Sequence, residues 1–173
     1  MLAFEGRTSQ KISIPGKPID TGFKLFGLSC DGYLITWEAT RPGLNEGAIL
    51  DGNKFFITIP GTAIQTSLTP TQAVVIRLSK ALDGLIAEGK RFHLYLDNLF
   101  TSWKLCYYLQ ERGISLTGTV RKGAAGFPPR LLALKNVNTA LAWGATQATI
   151  LAGNVAAFVW QDNNLVMGIY RYL

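Results

Sequence analysis

Asp97 is the acidic side chain whose place in the sequence best suits chemistry. It follows the apolar run Phe92–Leu96, which is typical of a strand, and it precedes Asn98. The residue after such a strand lies at its carboxyl end, where open α/β sheets place their ligand sites. A carboxylate there is costly to desolvate unless it is paired, hydrogen-bonded or bound to a cation. Two interpretations stay open: Asp97 serves a functional site, or it caps the turn that follows.

The other side chains that could do chemistry have simpler explanations. His93, the one histidine, lies in the middle of the same strand, where a hydrogen-bonded core histidine is the favoured interpretation. One histidine and two distant cysteines, Cys30 and Cys106, cannot build an ordinary zinc site. Glu38 is predicted to lie on the solvated face of a strand. The glycine patterns of phosphate-binding loops do not occur in the sequence.

Basic side chains form a second set of candidates. They are scattered early in the chain and clustered later, and Phe4, Phe23 and Phe127 lie near them in the sequence. A groove that follows a nucleic-acid backbone combines such basic and aromatic residues. Charge on a solvated surface is the alternative. The basic residues that we assign to nucleic-acid binding are Arg7, Lys17, Lys24, Arg121 and Lys122.

The composition favours a folded basic domain. The chain has 173 residues, 48% of them hydrophobic and 16% charged, and a formal net charge of +6. An average soluble domain has about 25% charged residues. Because this chain is less charged and rich in hydrophobic residues, global disorder is excluded. The positive charge attracts polyanions. The two cysteines are expected to be free buried thiols in a reducing compartment. The span from Lys135 to Asp162 has no ionisable side chain between its ends, but its asparagines and glycines favour strands and turns over a membrane helix.

The early elements are a hairpin and a helix. Strands at 23–30 and 33–40 flank Asp31-Gly32, a strong two-residue turn signal. Tyr33, Ile35, Trp37 and Ala39 share one face of the second strand, and Thr36 and Glu38 share the other, which we expect to be wet. Residues 41–69 are expected to be irregular. Thr69, Pro70 and Gly89 then mark the start and end of a helix with one apolar stripe.

An α/β segment follows. The nearly continuous apolar character of Phe92–Leu96 predicts a central strand covered on both faces. A helix over Trp103–Arg112, capped by Ser102 or Thr101 and stopped at Gly113, leads to a strand at Ile114–Val120. Short connections of this kind imply parallel pairing and a right-handed crossover. Beyond Arg121 the sequence is turn-rich and predicts short strands, one of them Val155–Trp160.

Several motifs, in order along residues 4–165, resemble those of piggyBac-type transposases. The segments are Phe4-Glu5-Gly6-Arg7, Ile14-Pro15-Gly16-Lys17-Pro18, Gly22-Phe23-Lys24, Asp97-Asn98-Leu99-Phe100-Thr101-Ser102 and Gly118-Thr119-Val120-Arg121. They are similar to the family's F-x-G-R, I-P-x-K-P, G-x-K, D-N-x-F-T-S and G-T-V-R blocks. Phe127-Pro128 and Val159-Trp160-Gln161-Asp162 continue the similarity. Each motif alone would be weak, and together they are specific.

The resemblance implies an α/β (α+β) fold with an incomplete ribonuclease H-like core over residues 1–122 and a β-rich insertion segment over residues 123–173. It also implies a nuclear cut-and-paste DNA transposase in which three aspartates hold Mg²⁺ ions for phosphoryl transfer. Asp97 matches the second aspartate and is the catalytic and metal-binding candidate. DNA is the implied partner and a membrane is not; a family-like dimer is compatible with the sequence but has no support in it.

The chain departs from the family pattern at both ends. The positions of the first and third aspartates fall before Met1 and after Leu173, so we expect a domain truncated on both sides. One carboxylate cannot hold two Mg²⁺ ions, because each ion requires several oxygens in near-octahedral order. We therefore expect the isolated chain to bind DNA weakly without cutting it. The alternatives are a domesticated non-enzymatic DNA- or protein-binding module, and a decayed transposon remnant.

Overall fold

The strands and helices of the chain belong to two units. The computed structural model describes residues 1–9, 11–39, 56–58, 63, 65–135 and 141–171. One unit comprises residues 1–54 and 69–85, and the other comprises residues 55–68 and 86–173. The boundary between residues 122 and 123 that the resemblance implies is a different division, and it stays a prediction.

The first unit begins with strands too short to stand alone. β1 (Leu2–Ala3), β2 (Ile12–Ser13) and β3 (Thr21–Phe23) form an antiparallel sheet in the order β1-β3-β2. β4 (Leu25–Cys30) and β5 (Tyr33–Ala39) form a separate antiparallel hairpin. The predicted strand at 23–30 is therefore divided between two sheets at Lys24.

The turn of the β4–β5 hairpin is confirmed. Asp31 and Gly32 have φ angles of 50° and 83°, so both central residues are in the left-handed region. A two-residue turn of this conformation matches the twist of the strands that it joins, and it pairs Cys30 with Tyr33.

The face of β5 that was expected to be covered is exposed. Tyr33, Ile35 and Trp37 are 80%, 44% and 58% exposed, whereas Glu38 is half-buried. Glu38 accepts from Nε of Arg77 at 2.9 Å, and its other oxygen accepts from Nη2 of the same guanidinium. The alternation of side chains was right, but the prediction for Glu38 was wrong because a two-point ion pair compensates a carboxylate for its loss of water.

Arg77 lies on α1 (Pro70–Ser79), whose start is confirmed. Thr69 Oγ1 accepts from the Gln72 N–H at 3.3 Å, and Gln72 Oε1 accepts from the Thr69 N–H at 2.9 Å. This capping box satisfies two otherwise unpaired groups at the first turn. A 3₁₀ turn over residues 80–82 follows, then α2 (Asp83–Ala87), and Gly89 lies just beyond it with φ 85°.

The second unit is organised around a mixed five-stranded sheet. Its strands are β8 (Phe92–Leu96), β9 (Ile114–Thr119), β10 (Thr146–Ile150), β11 (Ala156–Gln161) and β12 (Leu165–Arg171). The strand order is β10-β11-β12-β9-β8. β8 and β9 are parallel, and the other neighbours are antiparallel. This unit also contains the hairpin β6 (Phe56–Thr58) and β7 (Gln65–Ser67), the helices α3 (Trp103–Glu111) and α4 (Pro129–Leu134), and a 3₁₀ turn over Ala152–Asn154.

The strand–helix–strand prediction is confirmed in this unit. Ser102 Oγ accepts from the Leu105 N–H at 3.1 Å and so caps α3, and Gly113 has φ 76° at its other end. Leu105 and Leu109 of α3 are fully buried, and α3 contacts β9 and β12. The strand predicted at Val155–Trp160 is also present, as β11, and it pairs with β12.

Three expectations for this unit were wrong. β8 is a terminal strand of the sheet among the described residues, and Tyr95 on it is 80% exposed; β9, with Ile114 and Leu116 fully buried, is the inner strand. An apolar run shows that a strand is partly covered, not which neighbour covers it. Pro129–Leu134 is a helix because proline suits the first helical position. Part of the segment expected to be irregular forms β6 and β7; its residues 41–55, 59–62 and 64 lie outside the described residues.

The two cysteines differ in exposure. Both are free thiols, but Cys30 is exposed, so the expectation of burial was wrong for it and right for Cys106. Burial raises the pKa of the Cys106 thiol to about 12. The charge of Asp31, next in sequence, raises the pKa of Cys30. No helix within the described ranges is long and apolar enough to cross a membrane.

Gly118 is the position where β9 tolerates no side chain. A Cβ there would collide with the Thr101 side chain and come within 2.9 Å of the Leu96 carbonyl oxygen. We expect Gly118→Ala to lower the free energy of unfolding by about 1–3 kcal/mol, as overpacking does. Urea unfolding followed by circular dichroism measures this change.

Gly84→Ala is the matched control. Gly84 lies in α2, and the place that an added methyl group would take has no other group within 4 Å. Alanine there is expected to leave stability unchanged or raise it by up to about 1 kcal/mol. Equal urea midpoints for Gly118→Ala and the wild-type chain would contradict the close packing of β9 against the turn after β8.

Candidate functional site

Asp97 lies where the sequence placed it, directly after β8. Because β8 and β9 are parallel and Leu96 is paired with Gly118, the segments that follow both strands emerge at one edge of the sheet. The Asp97 side chain is exposed, and its Oδ1 accepts from the Leu99 N–H at 2.8 Å. Asp97 therefore caps the turn and also presents a carboxylate at the strand end. The turn-capping interpretation is shown, and the functional role stays a prediction.

The turn that carries Asp97 is fixed by its backbone. The Asp97 carbonyl oxygen accepts from the Phe100 N–H at 3.0 Å and from the Thr101 hydroxyl at 2.9 Å. Thr101 is 8% exposed and packs over Gly118 of the neighbouring strand. The carboxylate is therefore held by a turn seated on two paired strands.

Arg121 reaches this turn from the end of β9. Its Nε donates to Oδ1 of Asn98 at 2.8 Å, and both residues are exposed. A cleft of about 340 Å³ lies beside them, and its lining is Asn98, Leu99, Thr101, Arg121, Gly123 and Ala124. The structure thus brings one predicted DNA-binding residue next to the turn of the predicted catalytic residue.

The other basic candidates are distributed over both units. Lys122 is exposed and follows Arg121. Arg7, Lys17 and Lys24 belong to the first unit, where Arg7 and Lys17 are exposed and Lys24 places its Nζ 4.9 Å from the ring centroid of Phe26. Their assignment to nucleic-acid binding stays a prediction.

The aromatic residues near these cations are partly used inside the fold. The Phe4 and Phe23 rings contact each other with centroids 4.9 Å apart. Phe127 is 8% exposed, so its ring is taken up by packing. Phe127 is therefore not available to stack on a nucleic acid, as the predicted groove would require.

The described residues do not fit a two-metal centre. They contain no group of three or more His, Cys, Asp or Glu side chains placed to hold a metal ion. Asp97 supplies one carboxylate, and one of its oxygens already accepts from the Leu99 N–H. These residues are therefore too few for a Mg²⁺ ion, which requires several oxygen ligands.

His93 is hydrogen-bonded, as predicted, but it lies on the terminal strand β8 and not in the core. Its Nε2 lies 2.7 Å from Oγ1 of Thr117 on β9, and its ring contacts the Tyr95 ring at a centroid distance of 4.8 Å. The side chain is half-buried, and desolvation lowers the pKa of His93 from 6.5.

Comparison with known protein families identifies the family of this chain. A model of the family described as "Transposase IS4" matches residues 1–172. The chain belongs to this transposase family. Proteins similar to the chain include human PiggyBac transposable element-derived protein 2, 31% identical over 124 residues, and human PiggyBac transposable element-derived protein 3, 32% identical over 123 residues. In both cases the match covers 70% of this chain and 18% of the relative, so the chain spans about a fifth of the length of these curated relatives.

The fold of this chain is similar to that of a solved piggyBac transposase. The cryo-EM structure of a piggyBac transposase synaptic complex with hairpin DNA matches 96% of this chain and 30% of its own, with a TM-score of 0.67 and 24% identity. The predicted family and fold class are therefore confirmed: the chain is a mixed α+β, ribonuclease H-like domain related to the piggyBac cut-and-paste transposases.

The contact between Asn98 and Arg121 was missed by sequence reasoning. The signal that could have found it is the predicted parallel pairing of β8 and β9, because residues that follow two adjacent parallel strands emerge at the same edge. Asn98 and Arg121 are two residues past β8 and β9, respectively.

The lowered pKa of His93 predicts a pH dependence of stability. The unfolded chain binds a proton near pH 6.5 and the folded chain only at lower pH, so the free energy of unfolding falls as the pH drops below about 6.5. We expect urea unfolding to show this loss between about pH 8 and pH 5, and to show less of it in His93→Gln. Parallel pH profiles of the two proteins would contradict the desolvation of His93.

Proposed function

We propose that this domain is a DNA-contacting part of a piggyBac-type transposase and that Asp97 is one of the carboxylates of its catalytic centre. The observation that carries the proposal is the place of Asp97, exposed at the carboxyl end of β8 and on the same turn as the residue that holds Arg121. A strand end with a fixed turn is a rigid support for a carboxylate that has to meet a scissile phosphate.

DNA is the proposed partner and the nucleus the proposed location. The second unit carries nine basic and four acidic side chains in its sequence, so it attracts a polyanion. Arg121 and Lys122 lie at the edge that presents Asp97, and Arg7, Lys17 and Lys24 add charge in the first unit. The hairpin DNA of the similar solved complex is a partner of that transposase, and we extend DNA binding to this chain as part of the proposal.

Mg²⁺ is the proposed cofactor of the full centre, in which it would polarise the scissile phosphate. The described residues contain no group of three or more candidate metal ligands, so further ligands are required. We infer that the isolated chain binds DNA and does not cut it.

A binding and cleavage assay tests this function. We expect the purified chain to bind a short labelled duplex with log K falling linearly in log salt, and to leave a supercoiled plasmid intact with Mg²⁺ or Mn²⁺. Fluorescence anisotropy and gel electrophoresis are the measurements. Absence of salt-dependent binding would contradict the proposed DNA contact.

Asp97→Asn and Glu88→Gln form the matched pair for the cleavage arm. Both replace an exposed carboxylate by its amide, one after β8 and the other before it. Metal-dependent nicking that is lost in Asp97→Asn and kept in Glu88→Gln would overturn the inference that the isolated chain is inactive, while supporting the role of Asp97.

A further inference from the structure

We propose that Asn98 is a positioning residue that holds the Arg121 guanidinium as a two-pronged donor for a DNA phosphate at the cleft beside Asp97. This inference rests on the proposed function, because it assigns to one residue the task of orienting a DNA contact. No catalytic step is attributed to Asn98.

The hydrogen bond to Asn98 engages Nε of the Arg121 guanidinium and leaves the two terminal nitrogens available to a ligand. Asn98 Oδ1 accepts from Nε of Arg121 at 2.8 Å. The two terminal nitrogens, Nη1 and Nη2, then form the outward edge, and two parallel N–H bonds from such an edge match the oxygens of a phosphate. Asn98 and Arg121 are both exposed and both line the cleft of about 340 Å³, so this edge is open to a ligand.

The chemistry of the partner distinguishes Arg121 from a structural arginine. Arg77 is held at two points by the carboxylate of Glu38, which cancels its charge. Asn98 is a neutral amide, so it orients Arg121 and leaves the full positive charge for an anion. Within the described ranges, no carboxylate lies within ion-pair distance of Arg121.

Both residues are anchored before any ligand binds. Asn98 lies in the turn closed by the Asp97 and Thr101 hydrogen bonds. On the other side, the Val120 N–H donates to the Met167 carbonyl oxygen at 2.9 Å, and the Arg121 carbonyl oxygen accepts from the Ala124 N–H at 2.9 Å. A preoriented donor loses less conformational freedom on binding and so binds more tightly.

A double-mutant cycle tests the inference. The salt-dependent affinity of the full chain for a short labelled duplex is measured for the wild type, Asn98→Ala, Arg121→Ala and the double variant. We expect Arg121→Ala to reduce the salt slope by about one and Asn98→Ala to weaken binding about threefold to tenfold. In the Arg121→Ala background, Asn98→Ala should have no further effect, since it acts through Arg121.

Two further variants separate positioning from charge and from folding. Asn98→Asp keeps the acceptor but adds a negative charge, so the Arg121 Nε–H resonance in a ¹H–¹⁵N spectrum should stay protected from exchange while DNA affinity falls. In Asn98→Ala that resonance should exchange faster. Lys90→Ala removes a charge before β8, and its effect on affinity should be additive with that of Asn98→Ala.

The outcomes distinguish this inference from the function on which it rests. Loss of affinity in Arg121→Ala with wild-type affinity in Asn98→Ala, or an additive cycle, would overturn the positioning role and leave the DNA contact standing. Unchanged affinity and salt slope in Arg121→Ala would overturn the inference alone, whereas absence of salt-dependent binding by the wild type would overturn the function on which it rests. An Nε–H resonance that exchanges equally fast in the wild type and Asn98→Ala would also exclude positioning.

Discussion

The parallel pairing of β8 with β9 is the contact on which the candidate site depends. It aligns Leu96 with Gly118 and so brings the segments after both strands to one edge. The pairing is held by α3, the crossover helix, whose Leu105 and Leu109 are fully buried together with Ile114 and Leu116 of β9. Burial of these apolar side chains therefore holds the two strands together and brings Asn98 and Arg121 within hydrogen-bond distance.

Local signals carried most of the fold prediction that succeeded. Asp31-Gly32 sets a hairpin turn, and Thr69 and Ser102 cap helices through their own hydroxyls, so each acts within a few residues of itself. The predictions that failed needed knowledge of which neighbour covers a strand. Tyr95 and Trp37 lie in strongly apolar strands and are exposed, because hydrophobic alternation divides a strand into faces without assigning the inner one.

The same distinction between local signals and long-range contacts applies to the candidate site. The position of Asp97 followed from one strand and its end, so the sequence was sufficient. The hydrogen bond of Asn98 to Arg121 joins residues 23 apart and depends on side-chain conformations that no local pattern specifies. The ion pair of Glu38 with Arg77 joins residues 39 apart and was missed for the same reason. Polar contacts across strands and helices are set by packing, which the sequence determines only through the whole fold.

The segment after residue 122 also supports this edge. β12 pairs antiparallel with β9, and the Val120 N–H continues that ladder to Met167 just before Arg121. On its other side β12 pairs with β11, and the absence of a side chain at Gly168 leaves room for the Phe158 ring. β12, which lies in the predicted insertion segment, thus helps to fix the backbone that carries Arg121. The predicted core and the predicted insertion segment therefore contribute strands to one sheet, and its edge presents Asp97.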